Sequence, residues 1–320
     1  MSNRIGCAIT NLLLLTVIQT VTCKGSTDPK TFFPAIDGNL TRIVWAHAVN
    51  NQSKLNETLK NGDIMMLEAD VSLGNVTGTN SIGVPIMAHP PANTSDLSLQ
   101  DFLKMVVESN TTKGIKLDFK SVEAFEASIP ILEKKKNDLS FPVFINADIL
   151  PGPVNATTTA VDAKSFLSKA KAFPNYTLSV GWTTRYGGET NITKGGYTQE
   201  QIESMMNVLK EENVTQPITY PVRAGLVAND IDAIELLMKQ SHSQNNATLT
   251  IWSSDGDLVN AERLSALIKR IGTDKVYVDV PDDLKKRLDL SGASSVGIAS
   301  TTIAVSLLIG TLLSTITTTV

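Results

Sequence analysis

The feature that most constrains the fold is a repeated alternation. Eight times, a short β-branched or apolar run is followed by a segment of helical periodicity. The runs Ile43 to His47, Ile64 to Val71, Gly114 to Phe119, Pro142 to Asn146, Thr177 to Trp182, Ile218 to Arg223, Thr248 to Trp252 and Val276 to Asp279 read as strands. Segments such as SVEAFEASIPILEKK, TQEQIESMMNVLKEE and LVNAERLSALIKRI read as the helices between them, and several open on the Ser, Thr, Asp or Asn that caps a helix start. Connections that contain a helix join parallel neighbours. Eight such units without a break in composition predict an α/β chain closed into a (β/α)8 TIM barrel, a single domain over residues 24–290. The competing arrangement is an open doubly wound sheet, but no G-x-G-x-x-G follows an early strand to support it. The extra apolar run Gly83 to Pro91 reads as the return arm of a hairpin over the end of the second strand, and it carries His89 there.

The two ends are processing signals in their pattern. Residues 1–23, uncharged and leucine-rich after Arg4, read as a secretory signal peptide that would remove both cysteines, Cys7 and Cys23. Stability then has to come from the core, which a chain that is 42% hydrophobic can supply. Residues 291–320 begin with small residues and continue into an uncharged apolar tail, the pattern of a GPI-anchor signal attached at Ser291 or Gly292. The alternative is a transmembrane helix from Val296 to Val320, against which stands the lack of a following Lys or Arg. Between these ends lie eleven glycosylation sequons, at Asn39, Asn51, Asn56, Asn75, Asn93, Asn110, Asn155, Asn175, Asn191, Asn213 and Asn246. A glycoprotein of the secreted pathway, held at the outer face of the plasma membrane, is the expectation. The net charge of −4 leaves no basic surface for nucleic acid.

In a barrel of this kind chemistry collects at the carboxyl ends of the strands. His47 closes the first strand, with Asn50 just after it; the second carries Glu68 and Asp70; the third carries Asp118, with Lys120 following. Asn146 and Asp148, Trp182, Arg223, Trp252 and Asp279 mark the ends of the remaining five, and of these Asn146, Trp182, Arg223 and Trp252 are expected to face a substrate. A strand alternates faces with period two, so Glu68 and Asp70 share a face, as do Lys116, Asp118 and Lys120. Three carboxylates in one mouth repel one another and require a positive partner. A hard divalent cation, Mg²⁺ or Ca²⁺, held by Glu68, Asp70 and Asp118 meets that need, and a network of Lys116, Lys120 and Arg223 is the alternative. His47 and His89 converge on the same acids and suit a general acid and base pair, whereas His242 falls in a polar loop.

The ordered motifs WAHAVN, LEADVS, PIMAHPP, KGIKLDFKS, NADILPGP, LSVGWTT and YPVRA resemble the menorin family from about Ile43 to Asp279. That family in turn is similar to the phospholipase-C-like phosphodiesterases, a superfamily of (β/α)8 barrels that includes glycerophosphodiesterases and spider-venom phospholipases D. The resemblance implies catalytic roles for His47, His89 and Lys120, with Glu68, Asp70 and Asp118 as metal ligands around a phosphodiester. The match around Trp45 and His47 differs in spacing by one residue. Where the glycerophosphodiesterase signature has His-Arg-Gly this chain has His47-Ala48-Val49, so the phosphate-binding arginine is absent there and Arg223 is the alternative. Asn51 and Asn93 each lie four residues past a histidine, where a glycan would hinder a bulky lipid. The resemblance therefore implies either an anchored extracellular phosphodiesterase or a non-catalytic cell-surface recognition or adhesion protein with protein partners.

Overall fold

The structure is a computed structural model and describes residues 27–245 and 247–292. The expected signal peptide, most of the anchor signal and the Asn246 sequon lie outside the described residues, as do the surroundings of His242. The strands are β1 (Trp45–Ala46), β2 (Met66–Val76), β3 (Val84–Met87), β4 (Thr94–Ser95), β5 (Gly114–Phe119), β6 (Val143–Leu150), β7 (Thr177–Trp182), β8 (Ile218–Arg223), β9 (Thr248–Trp252) and β10 (Val276–Asp279). Eight of them pair in parallel in the order β1-β2-β5-β6-β7-β8-β9-β10 and form a nearly closed barrel. β3 returns antiparallel to β2 as the expected hairpin, and β4 adds two residues along the outer end of β2.

The helices are α1 (Pro29–Phe32), α2 (Gln52–Lys60), α3 (Leu99–Glu108), α4 (Val122–Lys135), α5 (Ala163–Ala170), α6 (Gln199–Glu211), α7 (Ala224–Asn229), α8 (Asp232–Asn245), α9 (Ala261–Ile271) and α10 (Asp282–Arg287). Side-chain caps start most of the long ones: Asn51 for α2, Ser98 for α3, Ser121 for α4, Asp162 for α5, Asn260 for α9, and a full capping box of Thr198 and Gln201 for α6. α7 lies outside the expected pattern. Its sequence AGLVAN has no polar face because it is buried throughout up to Ala228, so helical periodicity has nothing to mark.

Alternation along the strands divides the interior in two. Leu67, Ala69, Leu117, Phe119, Ile145 and Val180 face the helices and form the main core. The other parity fills the barrel itself. Its lower end is plugged by Trp45, Met66, Phe144 and Tyr277, packed edge to face with ring centroids 5.5–6.2 Å apart among the three aromatics. Phe33, Ile36, Leu40 and Ile43 of the N-terminal segment close that end from below. The same contacts span the seam between β1 and β10, where Trp45 meets Tyr277 at 6.0 Å. Apolar packing at the bottom leaves the polar parity to the top.

Gly114 sits in this plug. A Cβ there would meet the Met66 sulfur and stand 2.9 Å from the Pro142 carbonyl oxygen, which is backbone and yields little. Gly114→Ala should therefore destabilise the domain by ~1–3 kcal/mol, as overpacked cores do. Urea unfolding followed by circular dichroism measures it, and an unchanged midpoint would show that the plug is slack.

Candidate functional site at the barrel mouth

Glu68 and Asp70 on β2 and Asp118 on β5 project from the inward parity of adjacent strands, in register Glu68 with Lys116 and Asp70 with Asp118. Each carboxylate can offer an oxygen within 4.8 Å of the other two. Among the described residues this is the one cluster with that property. Burial makes each charge expensive, and the surrounding bonds show how it is met. Glu68 accepts from the backbone N–H of Ala48 at 2.7 Å and lies 3.2 Å from His47 Nδ1. Ala48 takes a left-handed conformation at φ 51, in the turn that aims its N–H at the acid. Asp70 exchanges two hydrogen bonds with Asn50: its carboxylate accepts from Nδ2 at 2.7 Å, and its N–H donates to Oδ1 at 2.9 Å. Asp118 accepts from Asn146 Nδ2 at 2.6 Å, and Asn146 in turn accepts from Ser179.

The Lys120 ammonium joins the acids, 2.7 Å from Asp70 and 2.6 Å from Asp118. Burial pushes Asp118 up, but Lys120, Lys116 and the hydrogen bonds from Lys120 and Asn146 outweigh it and hold the carboxyl below its ordinary value. Burial works against the Lys120 charge too, yet Asp118, Asp70 and Glu68 hold its titration above the ordinary lysine value. Glu68 is raised by burial, with His47 opposing and Asp70 adding to the rise. Asp148, two residues beyond Asn146 on β6, is pushed up to about 7 by burial and then by Asp118. The mouth thus holds more buried acid than its lysines offset.

The histidines differ in kind. His47 Nδ1 faces Glu68 at 3.2 Å and Asp279 at 3.4 Å, while its side chain is 60% exposed. Glu68 raises it to about 9, against burial and with help from Asp279, so it carries a proton at neutral pH. His89 is exposed and its Nδ1 lies 2.7 Å from the Pro90 carbonyl, which can only accept; Nδ1 is therefore the donor, and in the neutral ring Nε2 keeps its lone pair. A cavity of about 540 Å³ brings His47, His89, Glu68, Asp70, Asp118 and Lys120 together, with Asn146, Asp148, Arg223 and Trp252 on its walls.

Two expectations change. Trp182 does not face the mouth. Ser179 and Gly181 take the inward parity of β7, so Trp182 turns to the helices, 1% exposed, packed on Tyr197 and Tyr220 and donating to the Gln201 carbonyl. Arg223 lines the cavity, but its charge goes to Asp257 through Nε at 2.8 Å and Nη2 at 2.9 Å, not to the triad. It also lies over Trp252 at 5.1 Å. Of the lysine and arginine network considered from the sequence, the Lys120 part is present. Asp257 carried no sequence signal, since its partner is 34 residues away and it sits in a turn. The sequon asparagines within the described residues are exposed, Asn51 and Asn93 included, except Asn39, which is half-buried and accepts from Thr41.

The fold and mouth together define a single-domain (β/α)8 protein with a metal-capable acidic triad at the carboxyl ends of its strands. Residues 39–285 match the Menorin N-terminal domain, and the chain belongs to the menorin family. It is 41% identical to Protein FAM151B of Homo sapiens over 239 residues, 74% of this chain and 82% of that protein. Among solved structures, the apo form of 3-keto-D-glucoside 4-epimerase, YcjR, from E. coli aligns with a TM-score of 0.35 at 9% identity, over 57% of this chain and 78% of that one.

The His47 and Glu68 contact gives a titration test. Because the folded pKa of about 9 lies above the ordinary 6.5, the pair stabilises the folded chain fully below pH 6.5 and loses that contribution as pH rises through about 9. In metal-free protein the His47 Hε1 proton resonance should titrate near 9, and Glu68→Gln should move it down towards or below 6.5. A midpoint near 6.5 in the unsubstituted protein would contradict the contact.

Proposed function

We propose that the chain is an extracellular, membrane-anchored, metal-dependent phosphodiesterase. The observation that carries this reading is the convergence of two histidines, one acidic triad and Lys120 on a single cavity. The donor set is all oxygen, it carries excess negative charge, and it sits beside polar walls, which suits Mg²⁺ or Ca²⁺ on Glu68, Asp70 and Asp118. When bound, such an ion polarises a phosphoryl oxygen and offsets charge that develops in the transition state.

The protein groups supply the rest. With Nδ1 donating to the Pro90 carbonyl, the lone pair of a neutral His89 is on Nε2, the atom that takes the proton from an attacking water or hydroxyl as the new O–P bond forms. His47 holds a proton at neutral pH and gives it to the leaving ester oxygen as the old P–O bond breaks. Lys120 and Lys116 border the space a phosphate would take and balance its charge, while Arg223 is engaged by Asp257. Residues 1–23 would direct export and Ser291 or Gly292, both exposed, would carry the anchor.

A second reading, a cell-surface recognition protein, is favoured by the exposed sequons Asn51 and Asn93 beside the mouth. The two differ in what His47→Ala and His89→Ala do. On the enzymatic reading, the purified ectodomain with Mg²⁺ or Ca²⁺ cleaves a choline, ethanolamine, inositol or glycerol phosphodiester. Each histidine variant lowers kcat by ~10²–10⁴ with an unchanged circular dichroism spectrum. No turnover of any of these esters, with partner binding that survives His47→Ala, would overturn it in favour of recognition.

A further inference from the structure

A second cavity of about 500 Å³ opens beside the first and shares Thr158, Thr184, Arg223 and Ser254 with it as a common wall. Its own walls carry hydroxyl, carboxylate and guanidinium groups, represented by Thr190, Asp255 and Arg185, with one aromatic ring, Tyr186, and no large aliphatic side chain. From this we infer that the part of the substrate lying beyond the phosphate is a polyhydroxylated ring of hexose size, a sugar or cyclitol, and neither a choline nor an acyl chain. The inference rests on the phosphodiester reading for the position of the phosphate.

The shared wall is built in a way that suits hydroxyls. Asp257, 1% exposed, clasps Arg223 through two hydrogen bonds and fixes the guanidinium in place. Two further Arg223 protons go to Thr184 Oγ1 and Ser254 Oγ, both at 3.3 Å. Those hydroxyl oxygens act as acceptors towards Arg223, so each retains its own proton to donate into the cleft. The clasp also consumes the net charge of Arg223, which leaves a wall of oriented hydroxyls and not a free cation. Choline, a cation without donors, meets a single aromatic ring in this second cavity, Tyr186, which already lies under the Arg223 guanidinium, and no cage of several rings; an acyl chain would desolvate polar groups without pairing them.

The wall is also rigid. Gly187, at φ 92, lies against the clasp, where a Cβ would collide with Asp257 and stand 3.0 Å from Arg223 Nη2. Tyr186 lies under the guanidinium at 5.6 Å and donates from its hydroxyl to the Leu258 carbonyl at 2.6 Å, which ties the loop after β7 to the loop after β9. Fixed donors of this kind discriminate by hydroxyl pattern, because an analogue lacking a hydroxyl leaves a polar group unpaired.

Binding separates this inference from the activity on which it rests. Isothermal titration of the ectodomain with glycerophosphoinositol and glycerophosphocholine, which share glycerol and phosphate, isolates the group in the second cavity. The inositol ester should bind at least about tenfold more tightly, and Ser254→Ala should reduce that ratio severalfold towards unity. Thr184→Val should do the same, and if it fails to fold, Ser254→Ala alone decides. Equal affinity, absence of binding by both esters, or preference for the choline ester or for lysophosphatidylcholine below its micellar concentration would overturn the inference. Turnover of the same compounds is read separately: selective binding without cleavage would contradict the phosphodiesterase while the polyol site stood, and cleavage with a choline preference would do the reverse.

Discussion

The Lys120 ammonium, held between Asp70 and Asp118, is the interaction on which the mouth depends. Adjacent parallel strands put Asp70 and Asp118 side by side, and without a cation between them the two buried charges would oppose the register that forms the barrel. Lys120 follows Asp118 by two residues, so the same alternation that creates the repulsion supplies part of its remedy. Asn50 and Asn146 complete the hydrogen bonding of the two acids. Glu68, the third acid of the group, takes its direct partners from Ala48 and His47.

The remaining structure arranges itself around that polar mouth. An aromatic and aliphatic plug at the lower end excludes water and closes the β1 to β10 seam from below. At the upper end the same seam is crossed by His47 and Asp279, a contact of 3.4 Å. One barrel therefore has a dry end that contributes stability and a charged end that forgoes some of it. Asp148, pushed up to about 7 with burial as the main cause, is an acid the local lysines do not fully compensate.

Most of the frame was legible in the sequence because barrel strands alternate strictly and helices carry caps. β5, β7, β8, β9 and β10 begin and end where the β-branched runs do. The triad, His47 and Lys120 were legible for the same reason, since they lie along or just after barrel strands on the inward parity, and His89 was legible from the apolar hairpin arm that carries it to the end of β2. Trp182 was misread because its place at the end of β7 was given more weight than its parity, which Ser179 fixes. α7 was invisible because a helix buried on all sides has no amphipathic period. The Arg223 and Asp257 clasp could not be read because it joins a strand end to a turn through space, with no local spacing to signal it.

The central claim is that the excess acid of the mouth is there for a divalent cation. Its most direct test is the metal content of the purified, folded ectodomain after dialysis against micromolar Mg²⁺ or Ca²⁺, compared with Asp118→Asn. The account predicts one ion per chain in the unsubstituted protein and a marked loss in the variant. A folded protein that holds no ion under either condition, with Lys120 alone balancing the acids, would contradict it.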